Sequence, residues 1–413
     1  LPICMLVGVQ MEDLTGQREQ PNVPGTTEDL HPNWRRRMGV SLEKLPAHPF
    51  FSAITAAVRA ERGRMPQTGA SLPALQTADV PRATYRVQLH AGFTFAQAQA
   101  TVPYLEALGI SHLYTSPYLK ASKGSTHGYD VTDPCQVNPE IGTDADHAAL
   151  CAALAARGMG HLLDTVPNHM GVEDPGNPWW QDVLEHGQAS AHAGTFDIEW
   201  QASNPQTRAR VLLLVLGDHY GKVLEAGELQ IRFENETGRF QVAYWERALP
   251  LDPRCYADVL AAARWPVAGP GVEAHDLTAL HSLTDAFAQL PPHDAEDPAA
   301  RAARLRDAPL LRQRLRDLAA ALPWVRDGIA TALVHVNGTP GDGPSFDVLD
   351  GILQRQAYRL ADWRVAGDDI NYRRFFDVNA LAAIRMEEAA VFDAAHVQIL
   401  RWLAEGKVQG LRI

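Results

Sequence analysis

Between residues 85 and 166 the chain alternates short apolar runs with amphipathic segments, and this alternation constrains the fold more than any other feature of the sequence. The predicted strands are residues 85–89, 112–114 and 160–166, and the predicted helices between them are residues 95–108 and 144–157. Strands that alternate with helices of about 10 to 15 residues imply parallel strands joined by right-handed crossovers. The sequence therefore predicts an α/β domain.

The rest of the chain departs from this alternation at both ends. A helix is predicted over residues 49–62, and a short β-rich stretch followed by an Ala- and Arg-rich helical region breaks the pattern later in the chain. The alternation is expected to resume near Tyr358 and to end in a short fourth strand. The predicted segments are an N-terminal segment of residues 1–64, a Pro- and Gly-rich linker of 65–80, strands 1–3 in 81–189, an inserted α+β subdomain of 190–345, and resumed alternation in 346–413.

Composition excludes several classes of function. The formal charge of −12 disfavours nucleic acid as the main partner. The longest aliphatic run, residues 211–216, is far shorter than the roughly 20 residues of a transmembrane helix. The four cysteines lack the paired spacing of zinc or redox motifs, so no metal site is expected. Unpaired cysteines fit a reduced compartment, and we expect a cytoplasmic protein.

Three polar clusters follow or end predicted strands. In residues 127–130, His127, Tyr129 and Asp130 combine an aromatic ring with hydrogen-bonding groups, which suits a sugar, although such a tetrapeptide also forms ordinary turns. In residues 164–169, Asp164, Asn168 and His169 leave a strand together. In residues 410–413, Arg412 ends an apolar strand. Active sites of parallel barrels lie at the carboxyl ends of the strands, so we expect these side chains to share one cleft.

These clusters resemble glycoside hydrolase family 13, the α-amylase clan. Residues 164–169 are similar to its first conserved region and residues 410–413 to the opening of its second. A closer resemblance, to the maltooligosyl trehalose synthase family, extends over about residues 81–413 and includes the insertion. Its motifs are residues 83–90, 115–118, 124–130, 215–217, 220–221, 227–229 and 370–379. Asp369 departs from the Glu expected before residue 370. The resemblance implies the first half of a (β/α)8 TIM barrel of the α-amylase type with a large inserted α+β subdomain.

The resemblance also implies roles for the polar clusters. His127 and His169 would donate hydrogen bonds to sugar hydroxyls, Tyr129 would stack on the sugar ring, and Arg412 would orient the nucleophile. The supporting residues would be Asp130, Asp164 and Asn168. Members of this family retain anomeric configuration, which needs two carboxyl groups about 5 to 5.5 Å apart.

The nucleophile is expected immediately after Ile413. The three catalytic carboxylates would therefore lie beyond residue 413, the chain itself would contribute no catalytic residue, and we expect the polypeptide to be a fragment that is inactive alone. No cofactor and no metal are implied. The expected partner is a maltooligosaccharide, with no nucleic acid and no membrane.

The first 64 residues resemble a different family. Residues 11–14, 22–26 and 31–37 are similar to the C-terminal end of 4-α-glucanotransferase, the amylomaltase family. The alternative is a basic loop with Trp34 packed against it. The resemblance implies a fusion protein in which both modules are truncated.

The expected reaction is isomerisation of the reducing-end α-1,4 linkage of a maltooligosaccharide to an α,α-1,1 linkage. The released glucose must stay bound and water must be excluded, which a large insertion could achieve. Trp179 and Trp180 are candidates for the wall of such a pocket and equally for the core. The alternatives are a 4-α-glucanotransferase, an α-amylase-type hydrolase, and an inert glucan-binding fragment.

Overall fold

A computed structural model describes residues 40–41, 44–63, 80–173, 175–367 and 369–413. The chain divides into two compact units, residues 1–76 and residues 77–413. In the first unit, a 3-10 turn at Leu45–Ala47 precedes helix α1, Pro49–Gly63, which confirms the helix predicted over 49–62. The amylomaltase-like motifs and residues 65–79 of the predicted linker lie outside the described residues.

The second unit contains the remaining helices and strands. The strands are β1 Thr84–Val87, β2 His112–Thr115, β3 Leu119–Ala121, β4 Val131–Val137, β5 Gly160–Asp164, β6 His169–Gly171, β7 Val211–Leu216, β8 Leu229–Glu234, β9 Arg239–Tyr244, β10 Arg247–Pro250, β11 Tyr358–Asp362, β12 Arg374–Phe375, β13 Val378–Ala383 and β14 Gly410–Arg412. The helices are α2 Phe95–Ala107, α3 Asp144–Ala155, α4 Pro178–His186, α5 Tyr220–Glu225, α6 Tyr256–Ala261, α7 Ala274–Ala288, α8 Pro298–Ala321, α9 Pro323–Val336, α10 Asp347–Leu353 and α11 Ala389–Ala404.

Four parallel strands form the sheet that carries the polar clusters. Their order is β1-β2-β5-β14, which confirms the predicted parallel strands and the two helices between the first three. The third strand ends at Asp164 rather than at the predicted Val166, because the chain turns away before Pro167, which cannot donate a sheet hydrogen bond.

The two faces of this sheet differ because side chains alternate along each strand. Val87, Leu113 and Leu163 are buried in a core that includes residues of α2, α3 and α11. A capping box begins α3, in which Thr143 and Asp146 satisfy each other's backbone amide. Arg86 and Tyr114, which are register partners, lie on the opposite face. One face of the four-stranded sheet therefore packs in the hydrophobic core, and the other carries polar side chains.

The inserted region builds its own sheets. Strands β8, β9 and β10 form an antiparallel sheet, and β7 pairs in parallel with β11. We expected the barrel alternation to resume from residue 346, but β11 pairs with β7, and β12 and β13 pair with β6. Buried Leu213 and Leu360 explain the first pairing, since both join the core of the inserted region. The four-stranded sheet is rejoined only by β14.

A search of the described residues for membrane-spanning helices finds none of sufficient length and apolarity.

Candidate functional site

The polar face of the four-stranded sheet ends in a network of charged and phenolic side chains. Arg86 on β1 is the register partner of Tyr114 on β2, and Asp164 on β5 is the register partner of Arg412 on β14. Alternation places these four side chains on the face opposite the α2 and α3 core. They cluster at the carboxyl ends of parallel strands, where barrel enzymes bind substrate.

Asp164 is the centre of this network. Its carboxylate is buried, with a residue exposure of 1%, and accepts hydrogen bonds from three side chains. Tyr114 Oη donates to Oδ2 at 2.8 Å, Tyr129 Oη donates to Oδ2 at 2.5 Å, and Arg412 Nη1 donates to Oδ1 at 3.2 Å. Three donors from the protein, one charged and two phenolic, satisfy the hydrogen bonding of this buried carboxylate. Asp164 therefore positions its neighbours and does not face a ligand.

The two phenols are held in their donating, protonated form. Burial, and then the hydrogen bond to Asp164, raises the pKa of Tyr114 to about 12. Burial and Asp164 also raise the pKa of Tyr129, although its contact with Arg86 opposes that shift. Arg86 Nη2 donates to Tyr129 Oη at 3.2 Å, which continues the network to β1. The pKa of Arg412 is raised, chiefly by its hydrogen bond to Asp164.

Tyr129 reaches this network from the loop between β3 and β4, which internal hydrogen bonds hold in shape. Ser125 Oγ donates to Asp130 Oδ1 at 2.5 Å, and His127 Nδ1 lies 3.6 Å from the same oxygen. The Tyr129 amide donates to His127 Nδ1 at 3.1 Å. Gly128, with φ of 76°, lets the loop pass against the backbone of Pro117. The loop thus leaves the His127 side chain about half exposed, at 48%.

His169 occupies a different position from the expected one. We expected its imidazole to donate to a sugar hydroxyl, but the residue is 3% exposed and its ring stacks on Phe375 at 4.3 Å between centroids. Burial lowers the pKa of His169, which favours the neutral imidazole. Nε2 donates to the carbonyl of Tyr129 at 3.1 Å, and Nδ1 accepts from Asn168 Nδ2 at 3.4 Å. Both nitrogens are engaged, so His169 here supports the loop that carries Tyr129.

A cleft of about 930 Å³ opens beside this network. Its lining includes His127, Tyr129 and Asp130 from the β3–β4 loop. The inserted region lines another part of it with Leu213, Glu246 and Arg247. Glu173, which follows β6, Tyr372, which precedes β12, and Asn379 on β13 also line it. Asp164, Asn168, His169 and Arg412 do not line this cleft, but each is linked to Tyr129 directly or through one neighbour. The structure thus places three of the seven predicted residues on the cleft wall and four around it.

The two adjacent tryptophans are part of the core. Trp180 touches the cleft but is 1% exposed, and it packs edge-on against Phe196. Trp179 stacks on His192 at 5.0 Å between ring centroids. Of the two interpretations of this pair, the structure favours packing.

Sequence reasoning missed several neighbours of the network. Arg86 and Tyr114 were hidden inside predicted strands, yet their polar side chains lie in register on the face that carries Asp164. Counting in steps of two along each strand would have found them. Phe375 had no such signal, because it reaches His169 from a hairpin far along the chain.

Two groups of side chains within the described ranges have the donors and spacing to hold a metal ion. One is His147, Cys151 and His161, which is buried, and the other is Asp218, His219 and Asp362. Neither group includes a residue of the network around Asp164.

Comparison with known proteins gives one family model and several relatives. The model described as the catalytic domain of α-amylase matches residues 99–202. A Mycobacterium tuberculosis protein named as a maltooligosyl trehalose synthase is 34% identical over 338 residues, which are 80% of this chain and 30% of the relative. An intracellular maltogenic amylase of Bacillus subtilis is 37% identical over 95 residues, or 23% of this chain and 15% of the relative.

The solved structures agree with the sequence matches. The maltooligosyltrehalose synthase of Arthrobacter ramosus aligns with 33% identity and a TM-score of 0.53, over 80% of this chain and 31% of that chain. A structure described as a glycosyltrehalose synthase aligns with 26% identity and a TM-score of 0.51, over 80% of this chain and 33% of that one. The chain therefore spans about a third of the length of these relatives.

Proposed function

We propose that residues 81–413 are part of a maltooligosyl trehalose synthase and supply one wall of its sugar-binding site. The reaction is isomerisation of the reducing-end α-1,4 linkage of a maltooligosaccharide to an α,α-1,1 linkage. The four-stranded sheet is the first half of a (β/α)8 barrel, and residues 190–345 are its inserted subdomain. The whole activity belongs to a longer assembly of elements, since the relatives are about three times as long.

The observation that carries the proposal is the network around Asp164 at the carboxyl ends of four parallel strands. Asp164 fixes Tyr129, which lines the cleft, and Arg412, whose side chain is 63% exposed. An aromatic ring suits the apolar face of a glucose unit. The exposed guanidinium suits an anionic neighbour, and we propose that this neighbour is the nucleophile that follows the fourth strand.

The cleft supports the choice of an isomerase over a hydrolase. An isomerase must hold the released glucose and exclude water until the sugar attacks through its own anomeric hydroxyl. The inserted region contributes Leu213 and Arg247 to the cleft that Tyr129 lines. The match to the synthase of M. tuberculosis covers 80% of the chain, so it must include part of the inserted region. The match to the maltogenic amylase covers 23% of the chain. The hydrolase and the 4-α-glucanotransferase are therefore the weaker proposals.

Binding of maltopentaose to the 413-residue chain tests whether the chain supplies part of the sugar-binding site. Calorimetric titration should show binding, and His127→Ala should weaken it about tenfold, the equivalent of about 1.4 kcal/mol. His275→Ala is the matched control, because His275 is also exposed and does not line the cleft. Equal affinity of both variants would contradict a sugar-binding role for the His127 loop.

Product analysis tests the reaction. In a polypeptide that extends past residue 413 to include the three catalytic carboxylates, maltopentaose should yield a non-reducing trehalosyl product. The 413-residue chain alone should bind without forming it. An increase in reducing ends from the longer polypeptide would favour the hydrolase, and maltooligosaccharides of redistributed length would favour the 4-α-glucanotransferase.

Two finer proposals complete the assignment. We propose that residues 1–64 are the C-terminal end of an amylomaltase module, on the motifs of the sequence. We also propose a cytoplasmic location, because Cys135, Cys151 and Cys255 are free thiols in the part of the chain that the structure describes.

A further inference from the structure

Three side chains of residue types that commonly ligate metals lie close together behind the four-stranded sheet, on the face away from the cleft. His147 and Cys151 lie one turn apart on α3, and His161 lies on β5. Spacing of i and i+4 puts the first two on one face of the helix. Within the described ranges this is the one buried group of three such residues whose ligand atoms all lie within 4.8 Å of one another.

The distances between the ligand atoms match those around a tetrahedral ion. Cys151 Sγ lies 3.5 Å from His147 Nε2 and 3.8 Å from His161 Nδ1. Zinc bonds of about 2.3 Å to sulfur and 2.0–2.1 Å to nitrogen, at a tetrahedral angle, separate sulfur from nitrogen by about 3.6 Å. An ion can therefore be accommodated with shifts of a few tenths of an ångström.

One tautomer of His161 turns an unprotonated nitrogen toward this position. Thr115 Oγ1 lies 3.1 Å from His161 Nε2 and 3.5 Å from the carbonyl oxygen of Leu162. In the tautomer whose Nε2–H donates to Thr115, Nδ1 keeps its lone pair for an ion. Metal-ligating histidines are commonly oriented in this way by a partner on their second nitrogen.

A fourth donor is at hand. Tyr118 Oη lies 3.1 Å from His147 Nε2, and Tyr118 is fully buried beside the ring of His161. One sulfur and two imidazole nitrogens are donors suited to Zn²⁺ or Co²⁺. With the Tyr118 hydroxyl as the fourth ligand the set would be closed, which is the form of a structural site, since a catalytic site keeps a position open.

We propose that His147, Cys151, His161 and Tyr118 form a structural site for a divalent transition-metal ion of the zinc class, which ties α3 to β5. Binding converts the Cys151 thiol to a thiolate and releases its proton to solvent, because the thiolate is the ligand. The site shares no residue with the lining of the sugar cleft. It would stabilise the position of β5, the strand that carries His161 and ends in Asp164.

The same four groups can also pair without an ion. Tyr118 would then donate to His147, and the Cys151 thiol would donate to His161, which leaves a purely hydrogen-bonded core. The two arrangements differ in metal uptake and in the state of the sulfur, so a spectroscopic probe separates them.

The experiment uses the full 413-residue chain, freed of metal with a chelator and then titrated with Co²⁺, both in the native state and during refolding. We expect one Co²⁺ per chain, with a thiolate-to-cobalt charge-transfer band and the intense visible bands of tetrahedral Co²⁺. Zn²⁺ should displace the cobalt and bleach both. The melting temperature should rise on Zn²⁺ addition, since the ion binds the folded state.

Two variants complete the test. Cys151→Ala should lose the charge-transfer band and the Zn²⁺-induced rise in melting temperature. Cys255→Ala, the matched control, should keep both, because Cys255 is also buried and free but lies outside the group. Circular dichroism verifies that each variant is folded. Absence of the band from the unmodified chain after both loading routes, or its persistence in folded Cys151→Ala, would overturn the proposal.

Discussion

Gly124 and Gly128 have the same positive φ in the loop that carries Tyr129, but their surroundings differ. Both have φ of 76°. A Cβ on Gly124 would meet nothing within 4 Å, whereas a Cβ on Gly128 would lie 2.3 Å from the carbonyl oxygen of Pro117. The first position needs glycine for its backbone angle alone, and the second needs it for space as well.

This difference predicts unequal effects of alanine. Gly124→Ala should lower the free energy of unfolding by about 1–2 kcal/mol, the cost of a left-handed conformation with a Cβ. Gly128→Ala should cost at least about 3 kcal/mol and weaken maltopentaose binding, because the loop must move away from Pro117. Urea unfolding and calorimetric titration measure the two effects. Equal losses in both variants would show that the contact with Pro117 does not constrain the loop.

Asp164 offers a second test at the scale of a residue. Asp164→Asn replaces one acceptor oxygen by an amide that must face a donor, either the phenols or Arg412. We expect a loss of about 2–3 kcal/mol in the free energy of unfolding, since a buried charged acceptor is removed. Asp307→Asn is the control, because Asp307 pairs with its neighbour Arg306 at the surface, and it should change stability by less than about 0.5 kcal/mol. A loss of similar size in both would remove the special role of Asp164.

Helix α8 of the inserted region is fixed to neighbouring segments by one fully buried arginine. Arg304 is 0% exposed and donates to Asp252 Oδ1 at 2.8 Å, to the carbonyl of Glu185 at 2.8 Å and to the ring of His186 at 3.3 Å. Leu311 and Leu315 of the same helix are also buried. The buried arginine was not predicted, because its partners come from distant segments.

Removing this arginine should destabilise the inserted region strongly. Arg304→Met leaves the buried Asp252 carboxylate with His293 but without its arginine partner, and breaking a buried ion pair in this way typically costs about 3–5 kcal/mol. Arg306→Met, on the same helix but 68% exposed, is the matched control and should change stability by less than about 0.5 kcal/mol. Thermal unfolding measures both. A small effect of Arg304→Met would mean that other contacts, including the ion pair of Arg312 with Glu185, suffice to hold α8.

The same contact predicts how stability depends on pH. Burial, and then the charge of Arg304, lowers the pKa of His186 to about 4 from 6.5. Between these values the unfolded chain binds a proton that the folded chain does not, so stability falls as pH decreases from 6.5 to 4. The contribution is on the order of 3 kcal/mol. In His186→Asn, whose oxygen can still accept from Arg304, this part of the acid dependence should vanish. An unchanged slope in that variant would contradict the assignment.

At the scale of elements, the sequence predicted what depends on local pattern. The strands β1, β2 and β5 and the helices α1, α2 and α3 follow from periodicity and caps within each segment. The pairing of β11 with β7 depends on contacts between residues about 150 positions apart, which periodicity cannot show. The burial of His169 under Phe375 was missed for the same reason. The metal-ligand group escaped notice because His161 joins His147 and Cys151 only through the packing of β5 on α3.

The whole molecule has an asymmetry that bears on its function. Every described residue of the network around Asp164, and of the cleft beside it, lies in the unit of residues 77–413. The resemblance of residues 1–64 to an amylomaltase would add a second segment derived from a glucan enzyme. The two units can therefore be tested separately for sugar binding.

We predict that residues 77–413, expressed alone, bind maltopentaose with the dissociation constant of the whole chain, within a factor of about two. The physical reason is that the side chains proposed to contact the sugar, including His127 and Tyr129, are all in this unit. Calorimetric titration of both polypeptides measures the comparison, and Gly128→Ala in the shorter one serves as a control that should bind more weakly. A tenfold loss of affinity on removing residues 1–76, in a shorter polypeptide that still unfolds cooperatively, would assign part of the binding site to the N-terminal unit. That result would indicate a glucan-binding role within residues 1–76, because loss of folding would have been excluded.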